Sequence, residues 1–188
     1  WDDFATLNSN IHKLKGVYPV VGFKRHYPKS ESHAHLVGYV SAIDEKEFYK
    51  NPFAKLNNAK SGKIGVERSH DESLRGILGN KSIEVNAVGR EIREIKRIES
   101  KKGENIQLTI DSELQEFCYK QLEGVSGSIS VTNVKSGEYL ALASSPSYDP
   151  NLFSTGLNNK QWLELTSDKF KPLINKTISN SYPPGSTI

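Results

Sequence analysis

One cysteine and no methionine stand among the 188 residues. The single Cys118 excludes an internal disulfide and a multi-cysteine zinc site. A lone thiol fits reducing and oxidising compartments alike. No apolar run approaches the roughly 18 residues of a membrane span, and no signal-peptide pattern opens the chain. Concentrated charge of one sign is missing too. The net charge is +3 and the isoelectric point about 8.8. The densest basic run, residues 90–102, is diluted by Glu91, Glu94 and Glu99, which reads as a solvated face. Without a concentrated basic face, nucleic acid is not an expected partner. Internal repeats and low-complexity tracts are absent. A start at Trp1 with no methionine, and a finish at Ile188 in the middle of a motif, lead us to expect a piece of a longer protein.

Periodicity then supplies the elements. Phe4, Leu7, Ile11 and Leu14 predict a helix over residues 4–17, ended by Tyr18-Pro19. Val20-Val21-Gly22-Phe23 reads as a short strand. A polar loop over residues 29–32 leads to a second strand over residues 34–40. Asp44 is placed to cap a helix carrying Glu45, Glu47, Phe48 and Leu56. Residues 66–74 read as a helix stopped by Gly76. Over residues 81–99, Ile83, Val85 and Ala87 alternate with polar neighbours. A turn at Gly89-Arg90 follows, then Ile92, Ile95 and Ile98, which predicts a β-hairpin with one wet face. Lys101-Lys102-Gly103-Glu104-Asn105 is the clearest linker. After it come a strand over residues 106–110 and a helix capped by Asp111 with Leu114, Phe117, Cys118 and Leu122 as its apolar stripe. Next is a hairpin with Ile129 and Val131 inward and its turn at residues 135–138. A proline-punctuated loop spans residues 144–152, and a short helix surrounds Trp162. One hairpin gives only two strands and is rarely stable alone, so the second part looks incomplete.

Several residues invite chemistry. His33 and His35 would share one face of a strand, but neither cysteine nor carboxylate completes a metal set with them or with His26; structural or surface histidines are the reading preferred. Gly62-Lys63-Ile64-Gly65 lacks the Gly-Lys-Ser/Thr ending of a phosphate loop. Ser147 and Asp149 read as turn formers. Phe48, Tyr49 and Phe53 form an aromatic cluster, by default core packing and alternatively a partner-binding patch. Tyr182-Pro183-Pro184-Gly185-Ser186 is a stiff turn ending in serine. Ser186 at a helix N-terminus suits a nucleophile, because unpaired N–H groups favour negative charge on its oxygen. It equally suits an ordinary cap.

Taken together and in order, these residues resemble the class B penicillin-binding proteins, and most closely their elongation-specific transpeptidase members. The resemblance covers most of the chain from Arg25 onward. In the first half it rests on Arg25-His26-Tyr27-Pro28, on Ala34-His35-Leu36-Val37-Gly38-Tyr39-Val40, on Gly62-Lys63-Ile64-Gly65-Val66-Glu67 with Leu74-Arg75-Gly76, and on Glu84-Val85-Asn86 with Gly89-Arg90. In the second half it rests on Leu108-Thr109-Ile110-Asp111 with Leu114-Gln115, on Ser145-Pro146-Ser147-Tyr148-Asp149-Pro150-Asn151-Leu152-Phe153, and on Pro172-Leu173-Ile174-Asn175 running to Ser186. It implies an α+β chain: an extended, β-rich, non-catalytic pedestal over residues 1–103, and the incomplete start of a serine β-lactamase-like transpeptidase domain over residues 104–188.

Ser186 would be the catalytic nucleophile of a Ser-x-x-Lys motif, cross-linking peptidoglycan stem peptides and acylated by β-lactams, with no cofactor. The implied partners are the elongation scaffold MreC and a membrane glycosyltransferase. The implied location is the periplasmic face of the inner membrane, with an anchoring helix upstream. The chain stops one residue short of the motif's lysine and lacks the later Ser-x-Asn and Lys-Thr-Gly motifs, so by itself it should be inactive. It could instead serve as a docking module for the elongation scaffold. His70 and Lys176 replace the family's usual tyrosine and arginine and could alter local packing.

Overall fold

The computed structural model describes residues 2–14, 16–17, 24–49, 51, 53–54, 56 and 59–179. The strand expected at residues 20–23 and the turn at 182–188, with Ser186, lie outside the described residues. The architecture is α+β. Among the described residues three separate two-stranded antiparallel sheets alternate along the chain with short helices.

The first part opens with α1 (Asp2–Ser9) and a 3-10 turn (Ile11–Lys13), so the helix expected over residues 4–17 is broken at Asn10. Residues 30–37, expected as loop and strand, are instead helix α2 (Ser30–Val37). A short apolar run cannot by itself separate strand from buried helix. Tertiary context decides: Ala34 is fully buried, and the Gly38 N–H closes the helix on the Ala34 carbonyl (2.8 Å). Gly38 has φ +82°, and a Cβ there would lie 1.9 Å from the Ile64 carbonyl oxygen. Only glycine allows the end of α2 to approach the start of α4 this closely. Strands β1 (Val40–Ala42) and β2 (Lys60–Gly62) pair with Val40 opposite Gly62. Between them α3 (Glu45–Phe48) begins after Asp44. The Glu47 carboxylate accepts from Ser61 Oγ and Lys63 Nζ, each at 2.7 Å, and the Lys63 bond in particular holds its pKa below the ordinary range.

The helix expected over residues 66–74 is two, α4 (Gly65–Ser69) and α5 (Asp71–Arg75), parted at His70, whose φ and ψ of −121° and 24° leave the helical region. His70 is exposed there. Gly76 stops α5 with φ +76°. The hairpin β3 (Asn80–Val85) and β4 (Glu91–Ile98) forms with two register shifts, where Ile95 and Ile92 of β4 are passed over in the pairing. It has no dry face. Every residue of β4 is exposed, because no described element packs against it. The pairs Lys81–Glu91, Arg93–Glu84 and Arg97–Glu94, at 2.6 to 2.8 Å, bind it along its own surface. The expected linker is pinned, not free: Ile77 and Lys101 form an antiparallel bridge, and the Glu104 N–H donates to the Ser73 carbonyl (2.9 Å).

In the second part residues 106–110 form no strand. They run beside the sheet through two bonds, Thr109 Oγ1 to the Tyr139 carbonyl (2.7 Å) and the Asp111 N–H to the Leu140 carbonyl (2.9 Å). Helix α6 (Ser112–Gln121) starts where the Asp111 carboxylate accepts from the N–H groups of Glu113 and Leu114. Cys118 and Leu122 pack on Ala141 and Ala143 of the hairpin β5 (Gly127–Thr132) and β6 (Tyr139–Ser145), with Leu114, Ile129 and Val131 around them. Phe117, placed on that stripe from the sequence, points to solvent. Asp149 caps α7 (Pro150–Thr155), with proline at the first helical turn where its missing N–H costs nothing. A capping box of Asn158 and Gln161 opens α8 (Asn159–Ser167).

Candidate functional site

Ser186 lies outside the described residues, and among those described α2 lies at the centre of the contacts between the two parts. This helix packs on α4 from the first part and on α6, β6 and α7 from the second. The cluster beneath it joins Ala34, Tyr148 and Phe153 with Tyr39, Ile64, Leu157, Leu165 and Leu173. Tyr148 is the ring at its middle. It meets His35 edge-on (centroids 5.2 Å) and Phe153 at 5.1 Å, and its hydroxyl donates to the Ala34 carbonyl (3.3 Å). Tyr39 stacks on Phe153 at 4.2 Å.

Three polar devices surround this cluster, and two of them, at Asn151 and Gln115, tie the two parts. Tyr27 and Asn151 exchange bonds, Tyr27 N–H to Asn151 Oδ1 and Asn151 Nδ2 to the Tyr27 carbonyl, both 3.0 Å. Behind them the Glu67 carboxylate is gripped by Arg25 through Nε (2.7 Å) and Nη2 (2.9 Å), and by the Tyr27 hydroxyl (3.2 Å), which accepts from the Val40 N–H. Burial alone would lower the Arg25 pKa, but the bond and charge of Glu67 outweigh it and leave it raised. Burial, reinforced by the Glu67 charge, pushes the Tyr27 phenol up, so it stays a donor. The third device is Gln115, whose amide donates to the carbonyls of Ser32 (2.8 Å) and Leu142 (2.9 Å) and accepts from the Leu142 N–H (2.7 Å).

The segment over residues 172–179, which runs toward Ser186, is laid across this platform. The Lys176 N–H donates to Ser144 Oγ on β6 (3.0 Å), and Ser128 Oγ on β5 donates to the Lys176 carbonyl (3.3 Å). Asn175 Nδ2 reaches the His35 carbonyl on α2 (3.4 Å). Lys176 is buried, with Nζ donating to the Lys171 carbonyl (3.3 Å).

The histidines separate. His33 and His35 lie on a helix, where a spacing of two turns them apart. His33 contacts Ser32 Oγ (2.9 Å) and Ser112 Oγ (3.3 Å), whereas His35 is buried under Tyr148. Among the described residues no cluster of three His, Cys, Asp or Glu could hold a metal. Burial, aided by the Lys176 charge, pushes the His35 pKa down to about 4. A depressed imidazole stabilises the fold fully above its unfolded pKa of about 6.5, and that stability is lost as pH falls toward the folded value. Urea unfolding between pH 7 and 4 should therefore show up to about 3 kcal/mol of lost stability, and His35→Asn should remove most of that slope.

The aromatic cluster on α3 is not core. Tyr49 is 93% exposed and Phe48 is 45% exposed, edge-on at 5.8 Å, while Phe53 lies beneath the Arg75 guanidinium at 5.5 Å. Sequence reasoning named Ser186 and kept His35 as a structural or surface histidine, but gave no role to Gln115, Asn151 or Glu67. Their signal was only that the quoted motifs contain polar residues within otherwise apolar runs.

The two-part arrangement, a helical and hairpin-bearing first part clasped to the start of a second by α2, has counterparts among known proteins. Residues 1–108 match the model of the penicillin-binding protein dimerisation domain, and residues 127–188 that of the penicillin-binding protein transpeptidase domain. The chain belongs to the penicillin-binding protein family. It is similar to the peptidoglycan D,D-transpeptidase MrdA of Escherichia coli K12, with 39% identity over 98% of this chain and 30% of the relative. It is also similar to penicillin-binding protein 3 of Bacillus subtilis 168, with 40% identity over 99% of this chain and 27% of the relative. It thus spans about 30% of the length of the curated relatives it matches. Among solved structures it resembles the penicillin-binding protein (PBP2) in complex with MreC from Helicobacter pylori. There the TM-score is 0.88 and the identity 28%, over 99% of this chain and 35% of that one. PBP2 of Pseudomonas aeruginosa in complex with WCK 5153 gives a TM-score of 0.74 and 36% identity, over 90% and 34%.

Proposed function

We propose that this chain is the pedestal and the opening of the catalytic domain of a cell-elongation peptidoglycan D,D-transpeptidase, with residues 1–103 as pedestal and residues 104–188 as the start of the transpeptidase. The observation that carries the reading is the succession of the two family matches, dimerisation domain then transpeptidase domain, in one chain. Ser186 is the nucleophile. Its Oγ attacks the carbonyl of the penultimate D-alanine of a stem peptide, and its proton passes to a neighbouring base, the role of the lysine three residues on in the Ser-x-x-Lys motif. The C–N bond to the terminal D-alanine breaks, and that amine leaves with a proton. An amine of a neighbouring stem then displaces the serine from the ester, forming the cross-link and restoring the hydroxyl. β-Lactams acylate the same oxygen.

The protein acts at the periplasmic face of the inner membrane, anchored by a helix upstream and working with a membrane glycosyltransferase. Among the described residues no helix is long and apolar enough to cross a membrane. The test is the intact mass of the full-length protein with and without penicillin. A gain of one drug molecule supports the reading, and an unchanged mass with a reactive β-lactam overturns it.

A second reading concerns the pedestal as a docking module. The solved relative in complex with MreC and the solvent-facing Phe48 and Tyr49 support α3 as a contact for that scaffold. Replacing both with aspartate should weaken MreC binding at least about tenfold, since exposed aromatics concentrate binding energy at interfaces, and should leave the circular dichroism spectrum unchanged. Equal affinity in a titration would remove the patch from consideration.

A further inference from the structure

We propose that the groove where β1 and β2 meet α7 and α8 is a binding site for an acidic glycan strand. This rests on the transpeptidase reading, in which that strand is uncross-linked peptidoglycan, and deepens it by naming where the polymer is held.

The groove has a volume of about 660 Å³. Its lining comes from both parts of the chain: Ser41 and Ala42 of β1, Lys60 of β2, Phe153 and Thr155 of α7, and Trp162 of α8. The parts are joined here. Helix α7 packs against β1, and the Lys60 ammonium donates to the Ser154 carbonyl. That carbonyl lies in the last turn of α7, where backbone acceptors lack partners within the helix and a cation is favoured.

Three features of the lining select the ligand. The first is aromatic. Tyr39, also in the lining, stacks on Phe153 at 4.2 Å. The Trp162 indole is 49% exposed, although so large an apolar ring is ordinarily well covered. An open indole offers a flat apolar surface to the C–H face of a sugar ring. The second is polar: the hydroxyls of Ser41 and Thr155 and the backbone at the end of α7 suit the hydroxyls around a sugar's edge. The third is charge. Lys24 and Lys60 line the groove and no carboxylate does. Lys63, just beyond β2, is tied to Asp44 and Glu47. Among the described residues Lys24 and Lys60 form no such ion pair, so their charge is complementary to an anion. A simple anion would leave the indole unused, and a plain apolar chain would leave both lysines unanswered. A sugar polymer that carries carboxylates engages all three features.

The experiment uses the full-length protein, acylated beforehand with penicillin so that the reaction site is blocked, and isothermal titration calorimetry. The probe is a tetrasaccharide of alternating N-acetylglucosamine and N-acetylmuramic acid without stem peptides, in which each lactyl group is a free carboxylate. Chitotetraose is the neutral sugar, and the free stem peptide is the acid without sugar. The acidic tetrasaccharide should bind about tenfold more tightly than either control, and more weakly as salt rises. Trp162→Ala should weaken it at least about tenfold. Lys24→Gln should weaken it about threefold and flatten the salt dependence, with chitotetraose binding unchanged. Circular dichroism checks the fold of each variant. Equal affinity for chitotetraose, or a folded Trp162→Ala that binds as wild type does, overturns the proposal. Preference for the stem peptide overturns it in favour of a peptide groove. If Trp162→Ala does not fold, Lys24→Gln decides alone, and wild-type affinity in that variant overturns the proposal. Protein that takes no penicillin adduct yet binds the tetrasaccharide through Trp162 overturns the transpeptidase reading and leaves the glycan site standing. Protein that is acylated but binds no tetrasaccharide overturns this inference only.

Discussion

Ser186→Ala in the full-length protein should abolish covalent penicillin labelling, with acylation expected to fall by roughly a thousandfold or more, while the protein stays folded. The size of this effect separates two roles that the residue type leaves open. A serine after a proline-glycine turn caps a helix as readily as it attacks a carbonyl. As a cap, its replacement by alanine would cost about 1 kcal/mol of stability and leave labelling intact. As a nucleophile, its loss removes the oxygen that forms the ester. Gel fluorescence after penicillin labelling, read beside a thermal melt, distinguishes the two in one experiment. A labelled Ser186→Ala protein with a lowered melting temperature would make Ser186 a cap and move the nucleophile elsewhere.

Much of this organisation is legible in the sequence where the signal is local. Asp111 precedes the helix it caps, and the alternation of Ile129 and Val131 places both on the core side of β5, whereas Asp149, expected as a turn former in a loop, caps the unexpected helix α7. The failures share a cause. Residues 34–40 carry an apolar run too short to reveal its period, and α2 is helical because Ala34 and His35 are covered by Tyr148, more than a hundred residues later. Residues 83–98 alternate as a half-buried hairpin should, yet no described element covers them, since alternation reports a capacity for burial and not the presence of a partner. For Tyr49 the default expectation of core packing fails and the alternative of an exposed patch fits its 93% exposure. The clasp between the parts was illegible for a further reason. Gln115 and Asn151 look like ordinary surface residues, and only the fold brings them to the backbone groups of Ser32, Leu142 and Tyr27, while Glu67 meets the side chains of Arg25 and Tyr27. Ser186 is a candidate for a different reason, the resemblance of its surrounding motif, and it lies outside the described residues.

Gln115→Leu should cost about 3–5 kcal/mol of stability, a larger loss than surface changes of similar chemistry. Gln115 is 1% exposed, and its amide behaves like a peptide unit added to the edge of β6, accepting from the Leu142 N–H and donating to the Leu142 carbonyl. The same nitrogen also donates to the Ser32 carbonyl of α2. Leucine fills nearly the same space, so the transfer of apolar surface changes little and is slightly favourable. What decides the outcome is that three backbone groups lose their partner, each at about 1–3 kcal/mol when buried, with partial relaxation keeping the total below the simple sum. For a chain of this size the melting temperature should fall by roughly 10 °C. Tyr119→Phe is the control, because the Tyr119 hydroxyl also joins α6 to α2, through Glu31 at 3.1 Å. That bond is exposed, and water can replace either partner, so its loss should cost about 1 kcal/mol or less. If the two variants unfold at the same denaturant concentration, burial is not what makes the Gln115 clasp matter, and the joint between the two parts must be held chiefly by the apolar cluster around Tyr148.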